Sequence, residues 1–263
     1  MAKKTSKSKL LDQEYALSSS NKSVSDRIVK VTAKNEEQRI ALKSIHENIV
    51  TFLMGVPGTG KTRLAVGYGL QELKRGNFDR IIFTRPCVEA GEKLGYLPGS
   101  FDAKTAPFMM PMYEVVRDYF EESDIKELLE TKKIIVLPFA YMRGINFRRS
   151  YVCADESQNA TPQQIHLLLT RICDDSKVVL TGDMYQSDLR YQMNGLADAV
   201  KRLKGIDGLS FVEMTYDSCM RSPIVRDIDA CYRKDHAQDI VVQSKTRNVT
   251  PHVDDRGGVV FDS

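Results

Sequence analysis

The chain has 263 residues, of which 42% are hydrophobic, enough for a packed core in one large domain or two small ones. Its formal net charge of only +3 means that a nucleic-acid partner would need a local basic patch, and its five cysteines, odd in number and without Cys-x-x-Cys spacing, argue against a disulfide framework or a zinc site. This cysteine usage fits a reducing compartment, and no apolar stretch suits a signal peptide or a membrane span, so we expect a cytoplasmic protein.

The chain opens with a segment, residues 1–26, that is rich in Ser and Lys and lacks helical or strand periodicity. We expect this segment to be a mobile tail, followed by one domain over residues 27–235. Residues 236–263 are predicted to be loosely ordered, with an edge strand available at Ile240–Val242.

Helical and strand patterns alternate through the predicted domain. Asn35 and Gln38 have the spacing of a capping box that opens a helix to Glu47, and its buried face is predicted to be Ile40, Ala41 and Ile45. Short apolar runs predict strands at Ile49–Met54, Arg80–Thr84, Lys133–Leu137, Ser150–Ala154, Lys177–Thr181 and Ser210–Met214. Further helices are predicted at Arg63–Arg75, Pro111–Phe120, Asp124–Glu130, Thr161–Ile172, Asn194–Lys204 and Pro223–Arg233. This alternation predicts an α/β fold with a mostly parallel sheet covered on both faces, in which ligands bind at the carboxyl ends of the strands.

A glycine-rich turn stands between the first strand and the second helix. It reads Gly-Val-Pro-Gly-Thr-Gly-Lys-Thr, the pattern that cradles nucleotide phosphates. Small residues let backbone N–H groups face an anion, and the following helix points its positive end at the same place. Lys61 can reach the β- and γ-phosphates, and the Thr62 hydroxyl can ligate Mg²⁺. The residues expected to contact nucleotide here are Gly55, Val56, Pro57, Gly58, Thr59, Gly60, Lys61, Thr62 and Arg63.

Acidic residues follow two later strands. Asp155 and Glu156 end the strand Ser150–Ala154, so Asp155 is predicted to hold a metal and Glu156 to activate the attacking water. Thr181-Gly-Asp183 ends the next strand, and Gln186 is a candidate to sense the γ-phosphate or orient water. An alternative is that Asp183 only caps a strand-to-helix turn.

The predicted order of elements also bears on fold and assembly. Two strands separate the glycine-rich turn from Asp155, which favours a RecA-like or helicase-like core, and no Asn-Lys-x-Asp guanine signature is present. Fast hydrolysis by this chemistry usually needs an arginine at the γ-phosphate. We name Arg221 and Arg143 as candidates, supplied by a neighbouring subunit or by the same domain, with a surface ion pair as the alternative for either.

A basic loop with two aromatic residues runs from Tyr141 to Arg149. Such loops bind single strands through stacking and phosphate contacts, although many are only solvated surface. The candidate nucleic-acid contacts are Arg85, Lys93, Arg143, Arg148 and Arg149.

Taken together, these blocks resemble the PhoH-like ATPases over roughly residues 35–232. The segments that carry the resemblance are Gly55–Thr62, Thr84–Gly99, Ala140–Gly144, Asp155–Gln164, Thr181–Asp183, Leu203–Gly208 and Arg221–Val225. Cys87 stands where many members carry a small residue. The PIN nuclease domain of some relatives has no counterpart here, which puts nuclease activity in doubt.

The resemblance implies a RecA-like fold, kinship to superfamily-one helicases, binding of ATP and Mg²⁺, and ATP hydrolysis. Asp155–Gln158 is similar to the helicase Asp-Glu-x-Gln motif and Gly182–Gln186 to Gly-Asp-x-x-Gln, while Gln38 is similar to a glutamine that reads adenine, a role that competes with helix capping. RNA in some relatives and ring-shaped, often hexameric assembly are also implied, in bacteria or their viruses.

The leading hypothesis is therefore a magnesium-dependent ATPase that moves along or remodels RNA or single-stranded DNA. Its predicted catalytic residues are Lys61, Asp155, Glu156, Gln186 and Arg221, with Thr62 and Asp155 at the metal. The alternative is a slow ATP-gated switch that binds nucleic acid or protein. A small-molecule kinase has little support, because Glu156 suits water activation better than substrate binding.

Overall fold

The computed structural model describes residues 29–86, 101–184, 186, 194–229, 231–232, 251–253 and 259–261. The chain divides into two compact units, Met1–Ser218 and Cys219–Ser263. The predicted tail 1–26, the segment that holds Lys93 and the predicted strand Ile240–Val242 lie outside the described residues, and the boundary at residue 235 stays a prediction.

The first unit contains six helices and six strands within its described residues. The helices are α1 Glu36–Glu47, α2 Lys61–Lys74, α3 Phe101–Arg117, α4 Glu122–Glu130, α5 Pro162–Leu169 and α6 Gly195–Leu203. The strands are β1 Val50–Gly55, β2 Arg80–Thr84, β3 Ile134–Val136, β4 Ser150–Ala154, β5 Lys177–Gly182 and β6 Leu209–Met214. The second unit has helical residues 223–229 and an antiparallel pair, β7 Pro251–Val253 and β8 Val259–Phe261. None of the described helices is long and apolar enough to cross a membrane.

The six strands of the first unit form one parallel sheet in the order β3-β2-β4-β5-β1-β6. One strand, β5, separates β1 from β4, as a RecA-like P-loop fold requires, and the predicted fold class is confirmed. The register pairs Met54 with Gly182 and Ala154 with Leu180, so β1, β5 and β4 end side by side. Whatever follows these three strands therefore meets at one edge of the sheet.

Two hydrophobic cores cover the two faces of the sheet. Because side chains alternate along a strand, Leu53 of β1 packs under α1 to α4 while its neighbours Phe52 and Met54 pack under α5 and α6. Cys153 is fully buried in the first core, and burial, together with the charge of Asp155, raises the pKa of its thiol well above the ordinary value. This cysteine is therefore part of the hydrophobic core.

Helix capping agrees with the sequence at α5 and only partly at α1. Thr161 and Gln164, which have the spacing of a capping box, form one at the start of α5, with Pro162 in its first turn. At α1 the Asn35 side chain accepts from the backbone of Gln38, but the Gln38 side chain turns elsewhere. Ile40 is 46% exposed, so its predicted burial is wrong, and Gln38 takes the buried position instead.

The start of α3 also differs from its prediction. The helix begins at Phe101 rather than at Pro111 and ends at Arg117 rather than at Phe120. Proline favours the first turn of a helix, which is why Pro111 reads as a start. Here Pro107 and Pro111 both lie inside the helix, four residues apart, so the missing N–H of Pro111 is the one that would have bonded to the carbonyl of Pro107.

Candidate nucleotide-binding site

The glycine-rich turn after β1 is built from backbone conformations that only glycine adopts readily. Gly58 and Gly60 have φ of 82° and 89°, in the left-handed region. A Cβ at Gly55, whose φ is 142°, would stand 2.0 Å from the carbonyl oxygen of Met214. The Thr59 hydroxyl donates to the Val56 carbonyl at 3.0 Å and closes the turn. The loop is thus a compact cradle pressed against the end of β6.

The side chain of Lys61 lies back along this loop. Its ammonium donates to the carbonyl oxygens of Gly55 at 2.7 Å and Val56 at 2.8 Å. Helix α2 begins at Lys61, so the positive end of the helix dipole and the Lys61 ammonium both lie at the glycine-rich turn. An anion seated in the loop would meet both, which is the arrangement that holds phosphates in P-loop proteins.

Thr62 and the acid that follows β4 meet across the sheet edge. The Thr62 hydroxyl lies 2.9 Å from Oδ1 of Asp155, and the Thr181 hydroxyl of β5 donates to the same oxygen. Asp155 is only 4% exposed. Hydroxyl and carboxylate oxygens are the ligands that Mg²⁺ prefers, so the residues present fit a magnesium ion shared with a bound phosphate.

Glu156 occupies a strained position beside this pair. Its φ of 51° and ψ of 38° are left-handed, a conformation that is uncommon and costly for a residue with a side chain. One carboxylate oxygen accepts from the side-chain amide of Gln158, and Oε1 lies 3.3 Å from a guanidinium nitrogen of Arg85. The carboxylate is therefore held at the mouth of the site by two polar partners while 39% of its side chain stays exposed.

Gln158 ties the ends of β4 and β5 together. Its Oε1 accepts from the backbone N–H of Asp183 at 3.1 Å, while its amide nitrogen holds Glu156. A Cβ at Gly182 would stand 2.7 Å from that Oε1, so glycine is needed for this approach. Asp183 is buried, and its carbonyl accepts from the backbone of Gln186, whose side chain is exposed. The role of Gln186 at the γ-phosphate stays a prediction.

Gln38 of α1 contacts the phosphate loop directly. Its amide nitrogen donates to the Thr59 carbonyl at 3.0 Å, and its Oε1 accepts from the backbone of Lys34 at 2.8 Å. The side chain is buried, so it braces the loop from the α1 side. Gln38 therefore contacts the phosphate loop and does not form the capping box that the sequence suggested.

Glu37, the neighbouring residue, ties α1 to the turn after β6. Its carboxylate accepts from the Thr215 backbone at 2.8 Å and hydroxyl at 2.7 Å, and from the Ser218 hydroxyl. Burial raises the pKa of Glu37, but these hydrogen bonds outweigh it, so the net pKa lies below the ordinary value. The wall of the site beside Gly55 is thus fixed by a charged contact.

The structure divides the predicted basic residues. Arg85 directly follows β2 and lies at the carboxyl edge, as the site does, whereas Arg148 and Arg149 immediately precede β4 at the opposite edge. Arg143 lies in the loop that connects these edges, midway between β3 and β4. Arg149 pairs with Asp79 at 3.1 Å. The aromatic residues of the loop differ as well, since Tyr141 is exposed but Phe147 is buried, which contradicts a stacking role for Phe147.

One further predicted residue, Arg63, lies apart from this cluster. Arg63 forms an ion pair with Asp118, beyond the end of α3. Arg221 belongs to the second unit, and Lys93 lies outside the described residues. No sequence signal pointed to the contact of Thr181 with Asp155 or of Glu37 with Thr215, because both depend on strand order; the Asp-Glu-x-Gln resemblance did mark Gln158.

The chain is similar in sequence to a family of known proteins. Residues 30–233 match the family model of PhoH-like proteins. A PhoH-like protein of Synechocystis is 43% identical over 205 residues, which are 78% of this chain and 62% of the relative. The PhoH-like protein of Bacillus subtilis is 41% identical over 205 residues, 78% of this chain and 64% of its own length.

The chain therefore spans somewhat less than two thirds of the length of these curated relatives. It also aligns with the crystal structure of Pif1 helicase from Candida albicans at a TM-score of 0.38 and 16% identity, covering 80% of this chain and 48% of that one. The fold is identified by the strand order of the sheet and not by this similarity.

Proposed function

Because this chain belongs to the PhoH-like protein family and carries a P-loop site, we propose that it is a magnesium-dependent ATPase whose hydrolysis drives movement on, or remodelling of, RNA or single-stranded DNA. The observation that carries the proposal is the 2.9 Å contact between Thr62 of the phosphate loop and Asp155 of β4. It joins the phosphate cradle to a buried acid, with the exposed carboxylate of Glu156 next in the chain.

Each residue of the site has a separate task in this proposal. The loop N–H groups and Lys61 bind the β- and γ-phosphates, and Thr62 and Asp155 would hold Mg²⁺. Magnesium, when bound, neutralises developing charge on the phosphate oxygens. Glu156 accepts a proton from water as the water oxygen bonds to the γ-phosphorus and the bond from that phosphorus to the bridging oxygen breaks, so that ADP leaves.

Nucleotide selection and charge stabilisation involve residues around this centre. We assign Gln38 to the nucleotide side of the loop, where its contact with Thr59 would link base recognition to the phosphate cradle. Arg63, next to Thr62 at the start of α2, is kept as a candidate contact that would have to leave its ion pair with Asp118 to reach the nucleotide. Gln186 is assigned to the γ-phosphate or its attacking water.

Fast turnover also needs an arginine at the γ-phosphate. We propose Arg221, supplied by a neighbouring subunit of a homo-oligomer, with a hexameric ring as the arrangement that the family resemblance implies. Mixing tests this: inactive Lys61→Ala subunits and impaired Arg221→Ala subunits should regain activity together, because a mixed interface joins an intact loop to an intact arginine. No regain at any ratio would contradict an arginine supplied in trans.

Nucleic acid is assigned to the carboxyl edge of β2 and β3. Arg85, Arg143 and the exposed ring of Tyr141 supply charge and stacking there, the combination that holds single strands. Lys93, between Arg85 and α3 in the chain, is kept as a further candidate contact. Arg148 and Arg149 are not included in this surface.

The defining experiment measures ATP binding and phosphate release at millimolar magnesium. Lys61→Ala should abolish turnover, and Glu156→Gln should still bind ATP but hydrolyse it at least about a hundredfold more slowly, the scale of a lost general base. Lys43→Ala, an exposed lysine of α1 paired with Glu47, is the matched control and should match wild type. Loss of both binding and turnover in Glu156→Gln would contradict its role as base.

A slow ATP-gated binding switch remains the second candidate, because both carboxylate oxygens of Glu156 already have partners. Turnover with and without a single strand separates the two functions. Strong stimulation supports the motor, and slow turnover that no polymer changes supports the switch.

A further inference from the structure

The ion pair between Arg85 and Glu156 joins two functions that are otherwise separate. Glu156 is the carboxylate assigned to water activation, and Arg85 stands at the end of β2 on the edge assigned to nucleic acid. The last residues of β2 and β4, Thr84 and Ala154, are paired in the sheet. The N–H of Asp155 donates to the Thr84 carbonyl at 2.9 Å. The two side chains therefore arise from adjacent, rigidly connected strand ends.

We propose that Arg85 is a positioning residue that restrains Glu156 until a backbone phosphate of a single strand engages the guanidinium. This inference rests on the proposed ATPase function and adds its regulation by the polymer. Arg85 would exchange one anion, the Glu156 carboxylate, for another, the phosphate. Glu156, released at Oε1, would then be available to the attacking water.

The geometry suits such an exchange. Glu156 Oε1 faces Arg85 at 3.3 Å and Oε2 accepts from Gln158, so in this arrangement neither oxygen is without a polar partner. The Arg85 side chain is 24% exposed and that of Glu156 is 39% exposed, so a ligand from solvent can reach the pair. Guanidinium groups bind phosphate through two parallel hydrogen bonds, so a backbone phosphate is a strong competitor for the Arg85 side chain.

The surroundings point to the same partner. β3 is the sheet neighbour of β2, and the residues after β3 include the exposed Tyr141 and Arg143. An exposed ring and a second guanidinium beyond a neighbouring strand would seat a base and a further phosphate. Glu156 also has a left-handed backbone, and strained conformations of this kind cluster at active sites and switch regions.

The exchange makes a reciprocal prediction that needs no hydrolysis. If phosphate and Glu156 compete for Arg85, removing the Glu156 charge must tighten polymer binding through Arg85. Without nucleotide, Glu156→Gln should bind labelled oligouridylate or oligothymidylate up to about fivefold more tightly than wild type, the upper end of what a partly exposed ion pair contributes. In an Arg85→Ala background the same substitution should change the affinity by less than about twofold.

Fluorescence anisotropy with both oligonucleotides tests this in four proteins: wild type, Glu156→Gln, Arg85→Ala and the double variant. Arg202→Ala is the matched control, because Arg202 forms an exposed ion pair with Asp198 in the last turn of α6, at the opposite edge of the sheet. Equal affinities of wild type and Glu156→Gln, a tightening that persists without Arg85, or no binding of either oligonucleotide would each overturn the proposal.

Phosphate release gives the second readout. Arg85→Ala should raise the basal kcat about fivefold, leave the KM for ATP unchanged and lose stimulation by the oligonucleotide, whereas Arg85→Lys should keep the low basal rate. A basal rate in Arg85→Ala and in Arg85→Gln equal to or below wild type would overturn the inference. If wild type binds oligonucleotide but never hydrolyses ATP, the proposed function is refuted instead. The comparison of oligonucleotide affinities would still test the competition for Arg85, because it is made without nucleotide.

Discussion

Gly69 of α2 packs against Tyr151 of β4, and substitution of Gly69 tests whether this packing sets the distance between Thr62 and Asp155. Gly69 of α2 faces the ring of Tyr151 of β4, and a Cβ there would stand 2.5 Å from ring atoms Cδ1 and Cε1. The ring cannot retreat, because it is fully buried and its hydroxyl donates to the Ala65 carbonyl at 2.8 Å. Gly69→Ala must therefore push α2 away from β4.

The magnitude is a balance of two effects. Alanine inside a helix is favoured over glycine by about 1 kcal/mol, whereas forcing extra atoms into a packed core costs about 1–3 kcal/mol. Contact at 2.5 Å with a fixed ring belongs at the upper end of that cost. We expect Gly69→Ala to lower the free energy of unfolding by about 1–2 kcal/mol. Because Thr62 begins α2 and Asp155 follows β4, phosphate release should also require more magnesium.

Gly67→Ala, in the same helix, is the matched control. Its Cβ would meet the Tyr119 hydroxyl at 3.0 Å and Val31 at 3.1 Å, and both side chains are only partly buried and can yield. Its unfolding free energy should stay within about 0.5 kcal/mol of wild type. Urea unfolding followed by circular dichroism measures both variants. The reasoning is refuted if Gly69→Ala is as stable as Gly67→Ala and needs no additional magnesium.

Two further predictions concern polar contacts of β5. Thr181→Val removes a hydroxyl that donates to the buried Asp155. We expect the free energy of unfolding measured in urea to fall by about 1–2 kcal/mol, and calorimetry to show a weaker magnesium dependence of ATP binding. Unchanged values in both measurements would contradict the assignment of Thr181. Lys177 donates to three backbone carbonyls at and just beyond the end of α1, and burial lowers its pKa to about 8 from 10.5, an effect that the charge of Glu72 partly offsets. Between those pH values the unfolded chain holds the proton that the folded protein has released, so stability rises with pH over that interval, and Lys177→Met should flatten this rise in urea midpoints. An equal slope in wild type and Lys177→Met would show that this lysine does not titrate there.

Much of the fold follows from local sequence signals. The six strands are short apolar runs, and each lies within one residue of its prediction at either end because turns and caps bound it. The capping box at Thr161 and the glycine-rich turn are likewise local, since the residues that interact are neighbours in the chain. The α3 start was not predictable in this way, because an interior proline, Pro111, imitates a helix boundary.

The parts of the site that the sequence did not predict depend on strand order. Arg85 meets Glu156 only because β2 and β4 are neighbours, and Thr181 reaches Asp155 only because β5 lies beside β4. Periodicity places residues on strands but does not order the strands in a sheet. For the same reason the loop from Tyr141 to Arg149 read as one basic surface, although it crosses from the carboxyl edge to the amino edge and buries Phe147 on the way.

The central claim is that one pocket binds ATP and magnesium through the phosphate loop and the acid beside it. Calorimetric titration of the folded protein with a non-hydrolysable ATP analogue tests it most directly, with and without millimolar magnesium and with Lys61→Ala alongside. We predict one nucleotide bound per chain with magnesium, weaker binding without it, and none in Lys61→Ala. Absence of binding to correctly folded wild-type protein, or unchanged binding in Lys61→Ala, would contradict the claim.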